Sequence, residues 1–119
     1  MNEEQLSKLI EEKTAECQQL FDAGIGAQEA SQKLVNLSSL LASLNATITD
    51  AHFSLNQKKK ALLEEDGMTV AKAKVYAEAS DEWKRFITLL NQKESLIELI
   101  RAVKYYLKAS MEEYSEGQH

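Results

Sequence analysis

Two groups of cations hold most of the chemistry this chain offers. Lys58, Lys59 and Lys60 crowd one segment; Lys84 and Arg85 follow, with Lys72 and Lys74 between. Arg101, Lys104 and Lys108 recur at steps of three and four beside Tyr105, a spacing that gathers them on one helical face. A guanidinium and a phenol on a firm helix suit a phosphate or a partner's carboxylates. The plainer alternative is that these side chains snorkel across apolar neighbours and close inter-helix ion pairs.

Catalysis finds no comparable pattern. His52 and His119 are the only histidines, and Asp50 stands two residues from His52, on a different helical face. A zinc centre needs three or four convergent ligands, which this spacing does not supply. No Gly-rich phosphate loop, HExxH or Ser/His/Asp arrangement occurs. The pairs Glu3-Glu4, Glu11-Glu12, Glu64-Glu65 and Glu112-Glu113 fall at helix ends or on outer faces, where they solvate the chain. Cys17 is the single cysteine, so no intrachain disulfide forms. It suits a small apolar filler better than a nucleophile. The expectation is a protein that is not an enzyme and takes no metal or cofactor.

The elements that would position the cations are helices. The 119 residues contain no proline and four glycines, and 44% are hydrophobic. That composition favours one all-α domain over residues 1–119. From Ala30, apolar residues recur at Leu34, Leu37, Leu41, Leu44, Ile48, Ala51, Leu55 and Leu62, with Lys58 the one polar member. This is a heptad seam facing a partner helix. The spacing predicts helices over about 2–21, 27–65, 70–78 and 81–114. Gly24 and Gly26 mark a turn or a kink, Gly67 a left-handed cap, and Thr69 and Ser80 helix starts. Leu6, Ile10, Cys17 and Leu20 share one face of the first helix. The last helix is expected to bury Trp83, Phe86, Ile87, Leu90, Ile97, Ile100, Leu107 and Met111, flanked by Leu89, Leu96 and Val103, with a frayed polar tail over Ser115 to His119. Trp83 reads as a core anchor near Leu62. The second and fourth helices then form a long antiparallel, coiled-coil-like hairpin, with an extra N-terminal helix and a short tip helix.

Leu34 to Thr49 passes without a charged side chain in a chain that is 28% charged. A helix with a single partner keeps lysine and glutamate on its outer face. The expectation is therefore a homo-oligomeric bundle, a dimer or higher, joined through Leu34, Leu37, Ser38, Leu41, Ala42, Leu44, Asn45 and Ile48. The bland alternative is a serine-rich surface helix. The net charge of -5 argues against a DNA-coating role, because phosphate neutralisation needs the opposite sign. The start of the chain lacks a signal-peptide apolar run, and no window approaches 18 apolar residues. A soluble cytoplasmic protein away from membranes is expected.

The segment from Met68 to Tyr114 carries Thr69-Val70-Ala71-Lys72-Ala73-Lys74, then Ala77-Glu78-Ala79-Ser80-Asp81-Glu82-Trp83-Lys84. Glu94-Ser95-x-Ile97-Glu98-x-Ile100-Arg101-x-x-Lys104 follows. It resembles small helical proteins encoded by bacteriophages and prophages, often among genes for single-strand annealing recombination. The resemblance covers a little under half the chain and carries over no site residue. It implies a phage or mobile-element accessory protein without enzymatic chemistry, working in the host-cell cytoplasm.

The functional expectation is an oligomeric interaction protein associated with DNA recombination or replication. Its contacts would be Lys58, Lys59, Lys84 and Arg85, or Arg101, Lys104, Tyr105 and Lys108. A protein partner is expected, with nucleic acid or a small anionic molecule as the other ligand classes. The alternatives are an inhibitor of a host defence system, which covers a host protein or sequesters an anionic nucleotide signal, and a structural coiled-coil spacer.

Overall fold

A computed structural model describes residues 2–24 and 26–117, with side chains to residue 112. Ile25 and His119, and the side chains expected in the polar tail, lie outside the described residues. The fold is all-α, with α1 at Glu3–Ala23, α2 at Ala27–Glu64, α3 at Val70–Glu78 and α4 at Asp81–Gly117. The last helix continues past the expected stop near residue 114, so the segment expected to fray is helical to Gly117.

Each boundary has a local cause. A capping box opens α1: the Asn2 side chain accepts from the Gln5 N–H at 2.8 Å, and the Gln5 side chain accepts from the Asn2 N–H at 3.0 Å. Glu3 and Glu4 occupy the first turn, where the helix dipole favours negative charge. Gly24 ends α1 at φ 67°, its N–H reaching the Leu20 carbonyl. Only glycine takes that left-handed position without strain. The chain turns rather than kinks here, because α2 starts afresh at Ala27. Gly67, at φ 63°, serves α2 likewise. Thr69 accepts from the Lys72 N–H to open α3, and Ser80 accepts from the Trp83 N–H to open α4.

The chain divides into two compact units, residues 1–42 with 92–119 and residues 43–91. In the first unit α1 contributes Leu6, Ile10, Cys17 and Leu20, α2 contributes Ala30, Leu37 and Leu40, and α4 contributes Leu96, Ile100 and Val103. Each fully buried leucine stabilises the fold by about 1.5–3 kcal/mol relative to exposure. Glu16 of α1 meets Lys33 of α2 at 2.7 Å across the Gly24 turn, so these two helices run antiparallel. In the second unit Leu44, Ala51 and Leu89 are buried, and Leu55, Leu62, Ala73 and Ala77 form a core cluster with Met68, Trp83 and Phe86 packed against it. Trp83 is a half-buried core residue near Leu62, as the spacing implied.

Every member of the α2 seam is buried or half-buried, Lys58 included. The α4 stripe needs correction. Its centre is Leu89, Leu96 and Val103, each at 0% exposure, whereas Met111 is 59% exposed. Trp83, Leu90 and Ile97 form one half-buried flank of this line. The apolar arc is broad enough that the flank mimics the centre.

Candidate functional site

A groove runs between α1 and α4 within the first unit. Ile10, Thr14, Gln18 and Phe21 recur at steps of four and three along one wall, and Ser95, Leu99 and Ala102 stand on the other. Rising residue numbers on one wall match rising numbers on the other, since Phe21 reaches Tyr106, so α1 and α4 run parallel. Small side chains at Ala15, Ser95 and Ala102 leave the space unfilled, about 820 Å³ of it. Past Phe21 the groove continues into a hollow of about 610 Å³ lined by Arg101, Tyr105, Tyr106 and Ala109.

The aromatic end of the groove is firm on one side and open on the other. Phe21 and Tyr106 meet at 5.2 Å between ring centres, tilted by 47°. Tyr105 is 77% exposed. The Arg101 guanidinium holds the Glu98 carboxylate at 3.0 Å, and both side chains are mostly in solvent. Such an exposed pair contributes about 0–1 kcal/mol. Another anion can replace Glu98 at little cost. The structure therefore brings Arg101 and Tyr105 together at a groove, while Lys104 and Lys108 are exposed beyond its lining.

The other basic group is less open than expected. Lys58, Lys59 and Arg85 are half-buried, and Lys84 is exposed. Lys72 lies over the Tyr76 ring at 5.8 Å, a cation–π contact within α3. His52 stacks on Phe86 at 5.2 Å. Among the described residues no group of three or more His, Cys, Asp or Glu is placed to hold a metal ion. Cys17 is sealed at 0% exposure, and burial pushes its thiol above the ordinary range, which disfavours the reactive thiolate. Its neighbour Glu16 is held below the ordinary carboxylate range, first by the bond from Lys33 and then by that from Lys13.

The expected self-association residues divide. Leu37 and Leu44 are sealed inside their own chain at 1% and 0% exposure, and Leu34, Leu41 and Ile48 are half-buried there. One apolar stripe does not serve two partners, so these aliphatic side chains belong to the chain's own core. Ser38, Ala42 and Asn45 face solvent. Two bulky groups outside that expected set, Val35 and Phe53, are exposed on the same helix at 59% and 64%. Phe21 and Tyr106 were also passed over as groove residues. Their signal was an aromatic beside small residues on each of two helices.

Fold and groove together define the class: an all-α protein of long packed helices with an open, mainly apolar cleft. Comparison of the chain with protein-family models, curated proteins and solved structures finds no match in any of the three. Among the described residues no helix is long and apolar enough to cross a membrane.

Proposed function

We propose that this protein is a non-enzymatic, homo-oligomeric interaction protein, a phage or mobile-element accessory factor that docks a protein partner of the recombination or replication machinery at the α1/α4 groove. One observation supports this most: Arg101, paired with the exposed Glu98 carboxylate, sits beside Tyr105 at the aromatic end of an apolar cleft. A partner segment with an apolar face and a carboxylate would fill the cleft and take Glu98's place on the guanidinium. The surrounding unit is acidic, which favours a carboxylate carried on a protein over the dense charge of a nucleic acid.

The test compares wild type with Arg101→Glu and Tyr105→Ala in capture from host lysate. Loss of the same captured protein in both variants is the expected result. A second reading, sequestration of an anionic nucleotide at Arg101, rests on the same exchangeable ion pair. It predicts thermal stabilisation by members of a nucleotide panel. A bare spacer predicts that reversing Arg101 and Lys104 changes nothing beyond stability.

A further inference from the structure

The groove between α1 and α4 changes sign along its length. Both of its walls belong to one compact unit, residues 1–42 with 92–119. The α4 rim reads Glu94, Glu98, Arg101, Tyr105 and Lys108 at steps of four and three, all exposed. Carboxylates come first on this rim, then cations around a phenol. The α1 rim reads Glu4, Glu11 and Gln18 at steps of seven, also exposed. Asp22, outside the lining, accepts from the Gln18 side chain at 3.1 Å. The Phe21–Tyr106 contact sets the register of the parallel walls. Glu11 therefore stands about five residues, or 7–8 Å, before the level of Arg101.

We infer that the groove takes an amphipathic helix laid antiparallel to α1 and α4, acidic in its first half and basic towards its end. This rests on the proposed docking of a protein segment at the groove and adds the segment's shape, direction and charge order. The walls are helices whose peptide groups bond internally, and the cleft between them is mainly apolar. A segment lying there must satisfy its own N–H and C=O groups, which a helix does and an extended chain does not. The α4 lining runs from Ser95 to Ala109, which is about 21 Å or four helical turns.

The rims set the order of charges on the occupant. A carboxylate in its first turn meets Lys108, and a second carboxylate, about seven residues on, meets Arg101 in place of Glu98. A basic side chain about five residues further meets Glu11. Five residues rotate a helix by about 140° beyond one full turn. The second carboxylate and the base thus fall on opposite flanks, one towards each wall, with the apolar stripe between them facing the groove. The dipoles select the direction. The C-terminal pole of α1 lies at the aromatic end, which favours the N-terminal pole of the occupant there. Acids early and bases late also suit the occupant's own dipole.

The test screens the full chain against a displayed library of helical peptides about five turns long, with a leucine stripe fixed and the flanking positions randomised. The selected peptides are expected to carry a carboxylate on one flank and lysine or arginine about five residues later on the other. A synthesised winner is expected to bind Arg101→Glu at least tenfold more weakly, and to recover when its matching carboxylate is exchanged for lysine. Screening Glu11→Lys is expected to select an acid where the base stood. Arg101, Glu11 and Ala102 are exposed, so their substitution spares the core. Ala102→Trp fills the floor shared by both hollows and is expected to abolish binding. Peptides that Ala102→Trp releases, but that lack this charge order or carry it reversed, overturn the inference and leave docking at the groove standing. Absence of any binder, or binding unchanged in Ala102→Trp, overturns docking at the groove as well.

Discussion

In residues 1–42 and 92–119 the interior is filled by long aliphatic side chains such as Leu6, Leu20, Leu37 and Leu96. In residues 43–91, α3 turns only Ala73 and Ala77 inward and leaves Val70, Val75 and Tyr76 outside, at 77%, 65% and 51% exposure. The charges divide as well. Of the 19 acids, 12 fall in the first unit and 7 in the second, while the 14 bases split equally. The whole net charge of -5 thus belongs to the unit that holds the groove, and residues 43–91 are balanced. Two ways of making a helix fit are visible here. A long helix such as α1 buries enough bulky surface to hold itself in place. A nine-residue helix is marginal alone, so α3 depends on its Thr69 cap and on alanines that let its backbone lie close to its neighbours.

The largest test of this contrast is Leu96→Ala. Removing a fully buried leucine is expected to cost about 2–5 kcal/mol in urea unfolding. A cost no greater than that of Val70→Ala, at an exposed position of α3, would remove the distinction between a helix held by bulky buried side chains and one that keeps its large residues outside. Next comes Ala77→Leu on the inward face of α3. Overpacking at a position of 0% exposure is expected to cost about 1–3 kcal/mol, while Val75→Ser leaves the unfolding midpoint nearly unchanged. The smallest effect concerns the acidic unit. Glu16→Gln removes two half-exposed ion pairs and is expected to lower stability by under about 1 kcal/mol at pH 7. The folded carboxyl lies below its unfolded value, so this stabilisation is present above the ordinary carboxylate range. It is lost as pH falls through the folded value. Stability curves of wild type and variant should therefore converge in acid; a gap that stays constant with pH would show that Glu16 acts by packing alone.

Much of the architecture was legible because its causes are local. The α2 seam repeats over more than thirty residues with Lys58 as the one exception, and Gly67, Thr69 and Ser80 announce their turn and caps by residue type. The centre of α4 was not legible. Apolar residues at Trp83, Phe86, Leu89, Leu90, Leu96, Ile97 and Ile100 span a broad arc, and only the neighbouring helices decide which line faces inward. The groove had no periodic signature either. It exists because Ala15, Ser95 and Ala102 fail to fill a space that the parallel course of α1 and α4 creates. Leu37 and Leu44, buried within their own chain, show the converse: apolar spacing marks a contact without saying whose.

Phe21 and Tyr106, which touch, are 85 positions apart, and their unit is made of the two ends of the sequence. On the ribosome, residues 43–91 have all their own contacts available while the final helix is still being translated. Leu6, Ile10, Cys17 and Leu20 can meet Ala30, Leu37 and Leu40 of α2 early, but their core is complete only when Leu96, Ile100 and Val103 emerge. Synthesis therefore lets the core of residues 43–91 close before that of the unit built from both ends of the sequence is complete.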